Sequence, residues 1–469
     1  MEKVFQTIKQ AFENKSVRNR IYFTLFILML YRLGCMVLVP GIDAKAFAQQ
    51  FDFANNNLLN MVNTFTGGAL GNAAVFALGI MPYITASIIV QILQKSIPTL
   101  ERLSKEGERG RQKLNRYTRY LTVAFGLLHS YGITTLLLNM DRGSQNIITI
   151  ENSLFFRITV MTTLTTGAII IMWLGEKITE NGIGNGISLI IFASIVARIP
   201  AAFQDLYQKL VSGTISGQVM LVVLAVILGT VMFVVFFEMG TRKLTIQFAT
   251  RAVQGGGMQG GVSKLPFKVN SAGVIPVIFS ASIVQFPNMI EGLLNVDPNG
   301  MAGQILAHFH YGRPFNTLVF AVATLFFTFF YVEMMFTPKD IAENLKKQGG
   351  HIPNITPGKK TEKYIEGVIK RLTFWGGIYL CAVSIIPNWI MFGLQLNTLP
   401  RWLGGDLFEK FLPDLVNAGT GVQLAATLGG TSLLIVISVA IDFIRQVKSQ
   451  LQTSEYGTGK PGGSGRRYA

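Results

Sequence analysis

The chain has 469 residues, half of them hydrophobic, and only 14% of them charged, against about 25% in soluble domains. That composition excludes a soluble enzyme or a soluble binding domain and describes a polytopic membrane protein. The formal net charge of +16 therefore has to sit in loops and tails, where it reports on topology and on partners.

Residues 2–20 are polar and basic, with Val4, Phe5, Ile8 and Phe12 on one helical face. They read as an amphipathic helix on the membrane surface. No small-residue cleavage site follows the first apolar run, so a cleavable leader is not expected. A spanning helix needs roughly 20 apolar residues. Ten stretches qualify, near 21–39, 73–94, 118–138, 154–174, 185–205, 217–237, 272–292, 315–336, 370–392 and 420–444. The one at 185–205 is the weakest, diluted by Gly186, Arg198 and Pro200.

Between the first two spans lies N-M-V-N-T-F-T-G-G-A-L-G-N-A, residues 60–73. It is too short to cross and rich in small residues. It reads either as a surface loop or as a half-helix folded back into a funnel. Non-helical backbone is tolerated there only where it is buried in protein or faces water.

One apolar motif is written twice. G-I-M-P-Y-I-T-A-S-I-I-V-Q runs from Gly79 to Gln91, and G-V-I-P-V-I-F-S-A-S-I-V-Q from Gly273 to Gln285; six of thirteen positions are identical. With ten spans the two copies cross in opposite directions. Inverted repeats with Gly/Pro-interrupted helices mark a transport pathway at the repeat interface.

Ten spans put both termini on one side. That side comprises 1–20, 95–119, 175–184, 238–271, 337–371, the tail from Asp442 and the nearby Glu333. It carries 32 Lys/Arg against 15 Asp/Glu, and the remainder carries 9 against 10. By the positive-inside rule the termini and basic loops are cytoplasmic. The excess charge has two readings: topology and anionic lipid alone, or docking of a large cytoplasmic partner on the long, mixed-charge loops 95–119 and 337–371.

Several chemistries are missing. No G-x-x-x-x-G-K-[ST] run exists, so no P-loop nucleotide is expected. The glycines at 255–257 and 260–261 read as flexible linker at a loop tip with no strand before it. Cys35 and Cys381 lie within apolar spans and read as packed thiols. His308 and His310 form an H-x-H with no third ligand nearby, so no metal is expected. Arg32, Arg157 and Arg198 fall in outer halves of spans and Glu333 near an inner end, which leaves the middle of the bundle almost uncharged. That argues against an ion relay and against an enzyme, and no cofactor is expected.

At this point the residues resemble the SecY family, the channel-forming subunits of the bacterial SecYEG protein-export translocon. The resemblance runs from about residue 15 to 447. It is carried by N-T-F-T-G-G-A-L (63–70), A-L-G-I-M-P-Y-I-T-A-S-I-I-V-Q (77–91), K-E-G-E-R-G-R (105–111), R-Y-T-R-Y-L-T (116–122), N-G-I-G-N-G-I-S (181–188), L-P-F-K-V-N-S-A-G-V-I-P (265–276), P-K-D-I-A-E-N-L-K-K-Q-G-G (338–350) and G-G-T-S-L-L-I-V (429–436). It implies an all-α polytopic fold of ten transmembrane helices, in two inverted pseudo-symmetric five-helix halves around a central hourglass pore. The halves are 21–205 and 217–446, joined by an external hinge at 206–216 and followed by a cytoplasmic tail at 447–469.

By motif position the resemblance implies a waist of Ile80, Ile84, Ile187, Ile191, Ile278 and Ile435. Ile80/Ile84 and Ile187/Ile191 each share a helix face, and such a ring resists water and ions by dewetting. Ordinary helix packing is the plainer reading of the same isoleucines. Residues 60–73 become a plug, with Phe65, Gly67, Gly68 and Gly71 suited to close packing and movement. Thr85 and Phe286 face each other across a lateral gate between the second and seventh spans. The loops 238–271 and 337–371 become docking surfaces, through Arg251, Lys264, Lys268, Lys346, Lys347, Thr356, Lys359 and Lys360.

The family pattern has I-R-P-G where this chain reads I-T-P-G, with Thr356 in place of the arginine. The other loop tip reads Gln254-Gly255-Gly256-Gly257 instead of a more basic run. Both departures remove charge that would meet acidic surfaces or ribosomal RNA.

The implied function is a passive gated channel. It passes unfolded, signal-bearing polypeptides across the cytoplasmic (inner) membrane and releases transmembrane helices sideways into lipid. Its implied partners are SecE-like and SecG-like subunits, the SecA motor ATPase, the ribosome, preproteins, nascent membrane proteins and lipids, with no sequence-specific nucleic acid. The alternatives are a secondary transporter of a small solute, and a specialised accessory SecY with few substrates.

Overall fold

Side-chain caps and prolines set where the helices begin. The computed structural model describes residues 9–43, 46–47, 63–141, 147–150, 152–213, 217–248, 251–253, 257–259, 261–294, 300, 303, 306, 308–309, 314–392 and 429–457. Asn14 accepts from the Ser16 amide and opens α1, Lys15–Gly34. A proline stands within the first two positions of α2 (Met81–Ser96) and α3 (Pro98–Lys105), where its missing N–H costs nothing. After α4 (Glu108–Asp141), Asn152 caps α5 (Ser153–Asn181), taking the Leu154 and Phe155 amides. Asn185 does the same for Ile187 and Ser188 at the start of α6, Gly186–Val211. Then come α7 (Gly217–Met239), α8 (Ile275–Leu294), α9 (Pro314–Met335), α10 (Pro338–Lys347), α11 (Lys359–Phe392) and α12 (Gly430–Gly457).

Each of the ten expected spans has a helix at its place. Among the described residues, six helices are long and apolar enough to cross a membrane: those within 108–138, 153–181, 186–211, 314–347, 359–387 and 430–453. The expectation for 185–205 is corrected. α6 runs through Pro200 and is among the most apolar windows of the six, because Leu189–Phe192, Ile195 and Val196 outweigh the diluting residues. The second span was expected from 73, yet α2 begins at Met81. Gly79 has φ +56°, a left-handed conformation that ends helical propagation, and residues 74–80 are turns and one bridge. The second copy of the motif behaves alike: Gly273 has φ +65°, and α8 begins two residues later. The repeat in sequence is a repeat in local structure. Of the expected last span, 420–428 lies outside the described residues.

The glycine tip at 255–261 is also corrected. Strands do precede it: β1 (Thr241–Phe248) and β2 (Arg251–Val253), followed by β3 (Gly257–Gln259) and β4 (Val262–Lys268). β1 and β4 pair antiparallel from Thr241↔Lys268 to Gln247↔Val262, and β2 pairs with β3. β5 (Gly350–His351) adds to the other edge of β1, so the three-stranded order is β4-β1-β5. The period-two run T-R-K-L-T-I-Q-F turns Leu244 and Ile246 inward and its charges outward. The spanning part stays all-helical; this small sheet stands between spans.

The chain divides into two compact units. One holds Met1–Tyr207, Asn288–Gly303 and Val439–Ala469; the other holds Gln208–Pro287 and Gln304–Ser438. In the first, Leu70, Ala73, Ala77 and Leu78 pack with Leu137 of α4 and with Phe156, Val160 and Leu164 of α5. A second cluster joins Ala11, Val17 and Ile21 to Ile183, Val447 and Leu451. In the other unit, Leu244, Ile246 and Phe267 of the sheet share a core with Val332, Leu345, Ile352, Ile365 and Ile369.

Glycines let helices touch backbone to backbone, as small residues do in membranes. A Cβ on Gly186 would overlap the Gly175 carbonyl, and one on Gly430 would overlap the Val383 carbonyl. Gly430→Ala is therefore expected to destabilise the protein by about 1–3 kcal/mol. A lowered melting temperature of the purified protein in detergent would show it, and an unchanged one would mean that α11 and α12 do not meet there.

Candidate functional site

The 63–73 stretch folds as a self-bonded knot of turns. Residues 63–65 are helical and 66–73 are turns; residues 60–62 lie outside the described ones. Asn63 organises the rest. Its carbonyl accepts from the Gly68 amide at 2.8 Å, and its side-chain Oδ1 accepts from the Gly71 amide at 2.9 Å. Thr66 Oγ1 donates back to the Asn63 carbonyl at 3.2 Å. Gly67 and Gly68 sit at φ +68° and +92°, which glycine alone adopts without strain. Phe65 is buried. The chain after α1 holds the far end: Val39 donates to the Ala73 carbonyl at 2.9 Å, and Val75 donates to that of Val37 at 2.8 Å.

Of the six isoleucines, four belong to the first unit. Ile80 is the residue before α2, and Ile84 lies one turn inside it; both are buried. Ile191 is buried on α6. Ile187 is half-buried, and its Cγ1 lies 3.2 Å from where a Gly175 Cβ would stand, so it also packs on α5. In the other unit Ile278 of α8 and Ile435 of α12 are buried. Thr85 is half-buried and donates to the Met81 carbonyl at 3.2 Å. Phe286 belongs to α8, and its side chain lies outside the described residues.

The basic positions of two loops are gathered on one body by the β4-β1-β5 sheet. Lys264 and Lys268 are exposed on β4, Lys346 and Lys347 on the last turn of α10, and Lys359 and Lys360 on the first turn of α11. Thr356 is exposed on the loop between β5 and α11, and its carbonyl accepts from the Thr361 hydroxyl at 3.0 Å. The Arg251 side chain and residues 254–256 lie outside the described residues. In the 95–119 loop, Lys105 stands 2.6 Å from Glu101 and holds its carboxyl below the usual carboxylate range. That exposed pair contributes little to stability. Arg119 grips Glu176 with two bonds, 3.1 and 2.7 Å, fastening α4 to α5.

Sequence reasoning passed over several polar groups inside the spans. His129 sits in the middle of the third span. Glu238, at the end of α7, is buried, and Asn270 Nδ2 donates to it at 2.7 Å and to the Gly273 carbonyl at 3.2 Å. Tyr31 and Ser194 are buried against each other. Each partner is far along the chain, and the only linear signal is a polar residue in an apolar run. Cys35 and Cys381 are free thiols. Among the described residues no group of three His, Cys, Asp or Glu gathers to hold a metal.

The SecY family model matches residues 74–444. The chain belongs to the SecY family. The protein translocase subunit SecY of Corynebacterium glutamicum is 40% identical over 463 residues, covering 96% of this chain and 98% of that protein. The subunit of the same name from Escherichia coli K12 is 39% identical over 442 residues, covering 94% and 93%. Among solved structures, one described as a protein-conducting channel aligns with a TM-score of 0.61 at 18% identity, covering 94% of each chain. Sec61 in a canine ribosome–channel complex from the endoplasmic reticulum aligns at 0.59 and 17%, also covering 94% of each. The two solved structures bear on the fold: a multi-pass helical membrane protein with the SecY chain path.

Asn63→Ala leaves the half-buried Gly71 amide without its acceptor, a loss of about 1 kcal/mol. Hydrogen exchange across 63–73 is expected to quicken in that variant and to stay near the parent rate in Asn63→Asp, which keeps the acceptor. Equal exchange in all three would remove Asn63 as the organiser of the turn.

Proposed function

We propose that this chain is the passive, gated protein-conducting channel of a bacterial protein translocase. It passes unfolded polypeptides across the membrane and lets apolar helices leave into lipid. The observation that carries this reading is identity of 39–40% with translocase subunits over nearly the whole chain. A small-solute transporter has no such support.

The finer parts of the reading rest on charge, motif position and chemistry. Two halves, 21–205 and 217–446, hinge at 206–216, and both termini face the cytoplasm from the inner membrane. The Lys/Arg bias supports that orientation. Ile80, Ile84, Ile187, Ile191, Ile278 and Ile435 form the waist. Aliphatic side chains offer a passing chain no hydrogen bond and so no sequence preference, while they exclude water at rest. Residues 60–73 plug the external side, a reading supported by their self-contained hydrogen bonding. A solved relative's plug domain is described as stabilising the closed state and maintaining a membrane seal; that structure aligns at TM-score 0.58 and 18% identity.

Helices leave between α2 and α8, past Thr85 and Phe286. They are driven by apolar burial of about 25 cal/mol per Å² and need their backbone bonds satisfied internally. A SecE-like and a SecG-like subunit complete the complex. With no P-loop in the sequence, the push comes from the SecA ATPase or the translating ribosome, docked on the basic body around the sheet. Thr356 weakens that docking, and Lys346, Lys347, Lys359 and Lys360 offset the loss.

The test is reconstitution. Proteoliposomes holding this chain with its SecE-like partner receive SecA, ATP and a signal-bearing preprotein. ATP-dependent protease protection of the preprotein is expected. In Thr85→Cys/Phe286→Cys, oxidation is expected to abolish protection and a reductant to restore it. No protection in the intact complex would contradict a motor-driven channel, and protection that persists after complete crosslinking would remove the gate from these two positions.

A further inference from the structure

Three side chains at the end of α1, Tyr31, Arg32 and Cys35, reach two consecutive carbonyls of the 63–73 turn, and Ser194 of α6 stands behind Tyr31. Tyr31 Oη lies 3.2 Å from the Thr66 carbonyl oxygen and 2.7 Å from Ser194 Oγ. Arg32 Nη1 donates to the Gly67 carbonyl at 2.9 Å. The Cys35 thiol points at the Thr66 carbonyl from 3.9 Å, a weak contact. Tyr31 and Thr66 are all but fully buried, and so is Ser194. The fit is close on every side. A Cβ on Gly67 would come within 2.9 Å of Arg32 Nη1 and 3.0 Å of Ser194 Cα. The Tyr31 ring stacks on Phe76, with centroids 5.9 Å apart and planes 9° from parallel.

Hydrogen counting makes this cluster more than a clamp. Tyr31 and Ser194 own one hydroxyl hydrogen each. Three acceptors compete for the two: the Thr66 carbonyl, the oxygen of the other hydroxyl, and the Ile190 carbonyl, which lies 2.8 Å from Ser194 Oγ. Two arrangements use both hydrogens and place one of them in the 2.7 Å contact between the hydroxyls, which donation to both carbonyls at once would leave as two facing lone pairs. In the first, Ser194 donates to Tyr31 and Tyr31 donates to Thr66. In the second, Tyr31 donates to Ser194 and Ser194 donates to Ile190. The first grips the turn, and the second lets it go. Neither leaves a buried donor unmade, which is the costly failure in a dry interior. The turn also carries its own bonds when it leaves, since the Thr66 carbonyl still accepts from the Ala69 amide at 3.4 Å.

We propose that Tyr31 and Ser194 form a two-position hydroxyl switch which, with Arg32 beside it, latches the 63–73 turn in the resting channel and releases it without stranding either buried hydroxyl. Tyr31, Ser194 and Arg32 are positioning residues for gating. The proposal rests on the reading of 60–73 as the plug.

The switch predicts opposite effects from its two hydroxyls. Tyr31→Phe keeps the ring on Phe76 and removes the grip. Ser194→Ala removes the competing acceptor and leaves Tyr31 committed to Thr66. The assembled complex is placed in planar bilayers, without motor or substrate, and the resting open probability and unit conductance are recorded. Tyr31→Phe is expected to raise the open probability about fivefold, the worth of one buried hydrogen bond. Ser194→Ala is expected to lower it about threefold, and the double variant to match Tyr31→Phe alone. Unit conductance stays unchanged in all three, which general damage to the fold would not leave so.

A fourth variant, lacking residues 60–73, separates the two readings. If it leaks while both single variants match the parent, or while both leak alike, the switch is overturned and the plug stands. If the deletion is as tight as the parent, the plug reading falls and the latch with it.

Discussion

Hydrocarbon offers no water to a free peptide group, and this constraint orders the rest of the molecule. Among the described residues the spanning stretches are helical, because a helix pairs its own N–H and C=O groups. The longest stretch without helix among the described residues of the first unit is residues 66–80. There the pairing is supplied by other means. Asn63 closes the turn on itself, Val37 and Val39 take up the end of it, and Tyr31 and Arg32 cover two of its carbonyls. A segment whose internal bonds travel with it can be held or moved at small cost, which a strand or a half-unravelled helix in the same place could not. The proposed plug role follows from that economy of unpaired groups.

Outside the hydrocarbon the constraint relaxes, and the backbone pairs between segments. The antiparallel β1–β4 hairpin takes β5 from a loop about a hundred residues further on, and the three strands cover a core shared with α10 and α11. Two loops that are separate in sequence thus become one basic body. On the channel reading this matters for energy: a chain without a nucleotide site depends on an outside push, and a single firm body transmits force better than two free loops. Thr356 stands exposed on it, between β5 and α11, where an arginine would have added a phosphate or carboxylate contact.

How much of this was legible depended on whether a signal was local. The repeated G-x-x-P was, because a glycine free to adopt positive φ and a proline tolerated only in a first turn dictate the same helix start wherever they stand; Gly79 and Gly273 duly share that conformation. The 185–205 span looks weak in sequence because Arg198 and Pro200 interrupt it, yet the apolar run before them is enough to make a long apolar helix. The sheet is masked in sequence by the glycines at its tip, although T-R-K-L-T-I-Q-F alternates plainly. The Tyr31–Ser194 contact joins residues 163 apart, and Glu238–Asn270 joins residues 32 apart. No periodicity carries such pairs, since they exist only once helices have packed. The isoleucines stood between two readings for the same reason: one buried Ile in a helix looks like any other.

The central claim is that this chain is a passive channel closed at rest by an uncharged, aliphatic waist. Ion conductance of the resting complex in planar bilayers tests it most directly, with Ile84, Ile278 and Ile435 each replaced by Asn. The account predicts that the parent complex stays tight and that the triple variant, equally well assembled, conducts ions without motor or substrate, because amide side chains let water wet the constriction. A triple variant as tight as the parent would contradict the account and return those isoleucines to ordinary helix packing.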